Sequence, residues 1–198
     1  MEAADKIETL PMENEPLPAK PPNNLYNVGD AVVKPSLGVC KIKAICKMEM
    51  DGKEKQFYVL QSGDVKVMVP FAQAHAGGLR PILNHEDIER LESFLHDPIR
   101  IPKDGRENLE MYEIDFSTAI EYVKQRNPQR NADNLKLLFY KSKIIELDNR
   151  EQQVFRETMK VLSDEIAHFE HATRQKISNR LKSIINEGRR ARKDNLLQ

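Results

Sequence analysis

The chain contains 198 residues, 39% of them hydrophobic, and its 31 basic and 31 acidic residues give a formal net charge of zero. This length is enough for one or two modest cores but not for a large catalytic domain. No apolar run is long enough to span a membrane, and the acidic start lacks the features of a secretory signal. We therefore expect a cytoplasmic protein without membrane association.

The N-terminal segment differs in composition from the rest of the chain. Residues 1–18 carry five acidic side chains against the single base Lys6, and they have no apolar periodicity. Prolines are frequent in this segment, at Pro11, Pro16, Pro18, Pro21 and Pro22. Such a segment cannot bury enough apolar surface to offset the entropy lost on ordering. The composition predicts a disordered acidic arm over residues 1–24.

The segment 25–83 has the pattern of short β-strands separated by tight turns. Asp51 and Gly52 lie between two strand-like runs, which is a strong signal for a β-hairpin. Gly63 marks a further turn, and Pro70 ends the last run because proline cannot donate to a sheet. Four or five short strands in so few residues predict a small, strongly bent Tudor/SH3-like sheet that leaves one edge strand open.

From residue 84 onward the apolar period becomes helical. Asn84 can cap a first helix that ends near Leu95, and residues 97–105 have the composition of a linker. A second helix is predicted from an apolar stripe, which comprises Leu109, Tyr112, Phe116, Ala119, Ile120 and Val123. Pro128 can begin a third helix, since proline fits the first helical position.

A fourth helix is predicted from a capping pattern at Asp148, and it runs through Phe169. The helical pattern then continues to Ile184, either unbroken or after a kink near Thr173. The sequence therefore predicts an α+β protein: a β-module over 25–83, an all-α domain over 84–170, and a basic C-terminal helix or tail over 171–198.

Residues that carry chemistry are sparse. Cys40 and Cys46 are too few for a disulfide scaffold or a closed zinc site. If one strand holds both, their spacing puts them on the same face, which favours buried reduced thiols over a redox role. His168 and His171 share a helix face but have no third ligand nearby. Without a nucleophile–base pair or a Gly-rich phosphate loop, we expect no enzyme, cofactor, metal or small-molecule substrate.

The motifs of the β-module are specific as an ordered series. The series comprises Tyr26 to Pro35, Gly38 and Val39, Gly52, Phe57 to Leu60, Val67 to Pro70, and Gly78 to Arg80. Together they resemble the CarD/CdnL family of bacterial transcription regulators, whose N-terminal domain is shared with the polymerase-interacting module of transcription-repair coupling factor. A fainter ungapped likeness covers Lys124 to Leu138. No helicase motifs follow, so we do not expect the coupling factor itself.

The resemblance implies that the β-module docks on the β subunit of RNA polymerase by adding its edge strand to a sheet there. Main-chain hydrogen bonds would supply affinity, and alternate side chains would set specificity. The candidate residues are Lys47, Met48, Glu49 and Met50 in one strand, and Val65, Lys66, Val67, Met68 and Pro70 in another. Plain sheet packing is the alternative for each of them. Met48 and Met68 are favoured, because exposed methionines suit adaptable protein contacts.

The resemblance also implies that the helical domain lies against promoter DNA at the upstream edge of the transcription bubble. Tyr112 stands where much of the family has a tryptophan wedge, and it could either stack on a base or belong to the core stripe. Asp115, with Ile114, replaces the arginine pair that often follows, and an acid repels phosphate. Basic candidates for contact without sequence readout remain, namely Lys124, Arg126, Arg130, Lys136, Arg174, Lys176 and Arg180.

Two functions remain open at this point. The first is a polymerase-bound regulator that modulates open-complex formation, in either direction. The alternative is a β-barrel adaptor that binds another protein and carries a helical dimerisation arm, which the weak likeness on the DNA side would fit. The basic residues between 174 and 193 outnumber the single acid Glu187, but they also fit an ordinary solvated helix face.

Overall fold

The computed structural model describes residues 26–35, 37–74, 76–99 and 112–196, with side chains up to residue 191. A five-stranded antiparallel sheet occupies the N-terminal part, and five α-helices follow it. This arrangement confirms the α+β prediction. The acidic arm predicted for residues 1–24, most of the predicted linker and Leu109 lie outside the described residues.

The sheet has the strand order β4-β3-β2-β1-β5. Its strands are β1 (Ala31–Lys34), β2 (Gly38–Met50), β3 (Lys53–Ser62), β4 (Val65–Pro70) and β5 (Arg80–Pro81). The hairpin predicted at Asp51 and Gly52 is confirmed, because Met50 pairs with Lys53 across a two-residue turn. Both turn residues have positive φ, at 56° and 69°. This is the backbone conformation that such a tight hairpin requires.

The inner face of the sheet forms the core of the β-module. The buried side chains there are Tyr26, Val32, Cys40, Ile42, Tyr58, Leu60, Val69, Ala74 and Leu79. The Tyr58 ring stacks on Phe71 at 4.0 Å between centroids and meets Tyr26 edge-on at 5.8 Å. The Tyr26 hydroxyl donates to the carbonyl oxygen of Leu79, and burial raises the pKa of this phenol. These contacts close the N-terminal segment over the sheet.

A β-bulge in β2 corrects the prediction that both cysteines share one face. The register of β2 against β3 shifts between Ile42 and Ala44, so the side-chain alternation changes phase there. Cys40 therefore points into the core, where burial raises the pKa of its thiol. Cys46 lies opposite Phe57 on the outer face and is partly exposed. An even spacing predicts a shared face only in an uninterrupted strand.

The helices are α1 (His85–His96), α2 (Phe116–Gln125), α3 (Pro128–Lys141), α4 (Asn149–Phe169) and α5 (Arg174–Leu196). The predicted cap Asn84 and the predicted start at Pro128 are confirmed. Asp148 also caps as predicted: it accepts from the Glu151 amide, and Glu151 accepts from the Asp148 amide. Reciprocal bonds of this kind satisfy two amides that the first helical turn leaves unpaired.

Two helix boundaries differ from the sequence pattern. α2 begins at Phe116 because Asp115 caps it by accepting from the Thr118 amide at 2.7 Å, and this bond lowers the pKa of Asp115. Tyr112 therefore precedes the helix. The chain also breaks after α4, where His171 has a positive φ of 52°, and α5 then folds back against α4. A local left-handed residue, rather than a kink, separates the two helices.

The five helices pack around one main core. α5 contributes Ile177, Leu181 and Ile185, which are fully buried against the other helices. Because α5 packs along α1 and α4, it is not available as an extended arm for dimerisation in this arrangement. Within the described ranges, no helix combines the length and the apolar character that a membrane crossing requires.

Candidate functional site

One edge of the sheet is formed by β4, which pairs with β3 on one side only. This pairing is regular from Ser62 opposite Val65 to Phe57 opposite Pro70. Val65 and Met68 are exposed although they are apolar. Among the described residues no strand pairs with the outer side of β4. Its outward N–H and C=O groups can therefore accept a further strand.

The far half of β2 forms a second open edge. β1 pairs with β2 only from Gly38 to Lys41, and its neighbour Asp30 bonds the amide of Ile42. Beyond this point β2 pairs only with β3. Met48 and Met50 in this half are exposed. Both strands that the sequence singled out thus border open edges, but the bulge adds twist to β2, and twist opposes strand addition.

The two edges share an apolar outer face. The register aligns two rows of side chains across β2, β3 and β4, namely Ala44–Val59–Met68 and Cys46–Phe57–Pro70. Met48 and Met50 continue this face along β2, opposite Lys55 and Lys53. Methionine side chains adapt to irregular apolar surfaces, which suits protein contacts. The predicted contact residues Met48, Met68 and Pro70 therefore lie on one surface, which we call the outer face.

The outer face has basic ends. Lys41 and Lys66 both lie opposite Gln61 at one end, and Lys53 and Lys55 lie at the other. Lys55 pairs with Asp51 at 3.1 Å, and the neighbouring Lys47 pairs with Glu54 at 2.5 Å. Apolar contact in the centre with cations at the ends favours a partner strand with acidic flanks.

Three other predicted contact residues have a different environment. Lys47 and Glu49 alternate with the outer-face methionines along β2, so they point to the inner side of the sheet. Val67 is partly buried and packs against the module core. Val67 therefore fits the alternative of plain sheet packing, whereas Lys47 and Glu49 are exposed near the end of the hairpin.

Tyr112 occupies the core position that the sequence left as one of its two alternatives. Its side chain is 0% exposed, and it belongs to the main helical core with Leu95 and Leu135. Its ring lies 6.2 Å from the ring of Tyr140. An enclosed ring has no surface on which a base could stack, so in this arrangement Tyr112 contributes packing instead of a wedge.

Several basic residues predicted to contact DNA are engaged within the protein. Lys136 is buried, and its ammonium donates to the carbonyl of Phe94 near the end of α1; burial lowers the pKa of this lysine. Arg180 bridges Glu170 at 2.6 Å and Glu92 at 2.7 Å. Arg174 pairs with Asp164. These three cations stabilise contacts between helices, and their internal partners reduce their attraction for phosphate.

The other predicted DNA contacts lie in two places. Lys124, Arg126 and Arg130 surround the turn between α2 and α3, whereas Lys176 is exposed on α5. Arg130 lies 3.6 Å from Asp133, and Arg126 lies against Gly38 of the β-module. Lys124 and Lys176 are exposed, and neither takes part in the ion pairs found among the described residues. The structure does not bring all seven basic residues together into one surface.

A partly buried ion pair that the sequence analysis missed joins the two parts of the protein. Arg80 donates from both terminal nitrogens to Glu165, at 2.6 and 2.7 Å, and also to the carbonyl of Arg126. The same carboxylate accepts from the amide of Leu83. A lone acid among the buried positions of α4 was the available signal, but it did not indicate the partner. This pair fixes the orientation of the sheet relative to the helices.

No group of three His, Cys, Asp or Glu side chains placed to hold a metal ion occurs in the described part of the chain. The geometry of the sheet instead supports protein contact. A comparison with protein families adds that residues 26–83 match the CarD-like/TRCF RID domain, which coincides with the five strands. This match covers less than a third of the chain. The chain thus carries a CarD-like RNA-polymerase-interacting domain and is a transcription-related protein that interacts with RNA polymerase.

Proposed function

We propose that the β-module docks on the β subunit of RNA polymerase by strand addition along β4, and that the helical domain then modulates promoter opening at the upstream fork. The observation that carries this proposal is the open, regular edge of β4 in a domain of a polymerase-interacting family. A partner strand would bond the outward groups of β4, while its side chains meet Met68 and Val65.

The choice of β4 over β2 rests on regularity. β4 pairs with β3 without a bulge, and only Pro70 at its end lacks an amide hydrogen. β2 carries the register shift at Ile42 and Ala44, which twists the strand beside its open edge. A strand adds most readily to a flat edge. A strand added to β4 would lie beside Met68, whereas a strand added to β2 would lie beside Met48 and Met50.

The experiment replaces Met68 by aspartate and measures binding to purified RNA polymerase. We expect affinity to fall about tenfold or more, which corresponds to about 1.4 kcal/mol, because a carboxylate beside the docked strand loses its water. Ile144→Asp is the matched control, since Ile144 is 44% exposed and Met68 is 43% exposed. Unchanged binding of Met68→Asp would rule out docking at β4, and a loss confined to Met48→Asp would move docking to β2.

Docking at the polymerase would bring the helical domain near promoter DNA. Contact with the DNA would be with phosphates and therefore independent of sequence, since the unpaired candidates are flexible basic side chains such as Lys124 and Lys176. Open-complex lifetime with and without the protein, on a promoter that forms unstable complexes, tests this part. We infer a binding role without catalysis, in the cytoplasm of a bacterium, where the polymerase resides.

A further inference from the structure

A groove on the outside of the α4–α5 hairpin has a charge pattern that the sequence analysis did not identify. Arg156, Lys160 and Ser163 follow one face of α4 at helical spacing, and Arg174 and Lys182 line the groove from α5. The opposite sides of both helices are buried in the main core. The groove has a volume of about 240 Å³, and its lining contains four cations and no acid.

Three of these four cations have no carboxylate partner in the described part of the chain. Arg174 pairs with Asp164, but Arg156, Lys160 and Lys182 take part in none of the ion pairs found in the described residues. Like charges four residues apart on a helix, such as Arg156 and Lys160, cost stability. The Oγ of Ser163 lies buried beneath them without a hydrogen-bond partner. An anion in the groove would relieve the repulsion between the cations.

The dimensions of the groove suit one strand of a nucleic-acid backbone. Residues four apart rise about 6 Å along a helix, and packed helices lie roughly 8–10 Å apart. The cations therefore stand in two short rows on either side of a channel. Exposed, flexible basic side chains in this arrangement attract phosphates without reading the DNA sequence. The apolar floor, which includes Phe155 and Met159, keeps the two rows apart.

We propose that the α4–α5 groove binds the phosphate backbone of duplex DNA, with Arg156, Lys160 and Lys182 as the contacts. The choice of DNA as the polyanion rests on the proposed function, which brings the helical domain beside the promoter. This surface is distinct from the turn between α2 and α3, where Lys124 and Arg130 lie. It also does not involve Tyr112, which is enclosed in the core.

The test measures binding of the full chain to a fluorescent DNA duplex, without polymerase, across a range of salt from about 50 to about 200 mM. The double variant Arg156→Gln/Lys182→Gln removes one exposed cation from each helix. We expect weaker binding, and a plot of log affinity against log salt that is shallower by about 2, since each lost phosphate contact removes about one unit of slope. The matched control Lys143→Gln/Arg150→Gln removes two exposed cations elsewhere on the helical domain and should retain the parent slope.

Several results would overturn the assignment. They are a parent protein without salt-dependent DNA binding, a groove variant with the parent slope, and a control variant that loses as much as the groove variant. Displacement of the DNA by poly-glutamate at equal charge would instead indicate an acidic protein as the occupant.

Polymerase affinity is measured on the same variants. If Met68→Asp loses polymerase binding but keeps the parent salt slope for DNA, DNA binding by the groove is independent of docking at β4. If Met68→Asp binds polymerase like the parent, docking at β4 is rejected, and the groove proposal is unaffected.

Discussion

The β-module and the helical domain differ in how far the residues singled out in the sequence are exposed. The β-module exposes Met48, Met68 and Val65 beside open strand edges, where they make few contacts with the rest of the chain. The helical domain encloses Tyr112 and Lys136 and pairs Arg180 with two acids. The exposed apolar residues that the sequence analysis singled out in the β-module are therefore available to a partner, whereas Tyr112, Lys136 and Arg180 contribute to the stability of the helical domain.

This difference follows from how the two kinds of element satisfy their backbones. A helix satisfies its amides internally, so a stripe of large side chains on a helix is drawn into the core. A sheet satisfies an edge strand on one side only, and the other side remains open unless something covers it. Large apolar side chains on an edge strand therefore indicate a docking surface more reliably than those on an amphipathic helix.

The largest expected effect is that of Tyr112→Ala, whose ring is enclosed in the helical core. Removing this ring should lower the free energy of unfolding by about 4 kcal/mol, because a cavity replaces its packing. Urea denaturation followed by circular dichroism measures this. Tyr112→Phe keeps the ring and should lose about 1 kcal/mol. If Tyr112→Ala is as stable as the parent, the ring lies outside the core, and the alternative that Tyr112 stacks on a DNA base is favoured.

Glu165→Ala comes next and tests the join between the two parts. The variant removes the carboxylate that accepts from Arg80 and from the amide of Leu83. We therefore expect a loss of about 3 kcal/mol in the free energy of unfolding, which thermal unfolding monitored calorimetrically would detect. Glu146→Ala is the control, because Glu146 is exposed and surface substitutions of this kind leave stability nearly unchanged. Equal effects in both variants would contradict a structural role for the ion pair.

Gly38→Ala should have a smaller effect at the same join. Gly38 has a φ of 97°, and a Cβ there would lie 2.9 Å from the guanidinium carbon of Arg126. Gly29→Ala is a matched control, since its φ is 98° with nothing within 4 Å. Each should lose about 1 kcal/mol through backbone strain. Gly38→Ala should in addition couple to Arg126→Ala by about 0.5 kcal/mol in a double-mutant cycle; purely additive effects would place Arg126 away from the sheet.

The smallest effect concerns acid stability, and it should appear in the helical domain. The hydrogen bonds from Arg180 hold the pKa of Glu170 below its ordinary value. A carboxyl group whose pKa is lowered by folding stabilises the fold above its unfolded pKa, and this stability is lost as the pH falls through the folded value. We expect the melting temperature of the parent to fall more than that of Glu170→Gln between pH 6 and pH 3. Parallel curves would contradict this contribution.

Local signals in the sequence were sufficient for most element boundaries. Asp51 and Gly52 predicted the hairpin, and Asn84, Pro128 and Asp148 predicted three helix starts, because turns and caps depend on a few neighbouring residues. The start of α2 was predicted too early. Tyr112 continues the apolar stripe in sequence, yet the cap at Asp115 begins the helix only after it.

The outer face was predictable only in part. The sequence identified Met48 and Met68, but it could not align them, since the row that joins Met68 to Val59 and Ala44 depends on strand register and on the bulge. Cys46 reached that face for the same reason. A one-residue shift turns every later side chain of a strand to the other side of the sheet. That shift is a property of the pairing between two strands.

The sequence by itself determined the α+β layout, the hairpin and the likeness of residues 26–83 to a polymerase-interacting domain, because these depend on local backbone preferences and on ordered short motifs. Only the tertiary structure decided that Tyr112 is enclosed, that Arg80 reaches Glu165, and that the α4–α5 groove gathers cations. Each of these depends on contacts between residues far apart in the chain. Such contacts form only when the helices and the sheet pack together, which removes side chains from water.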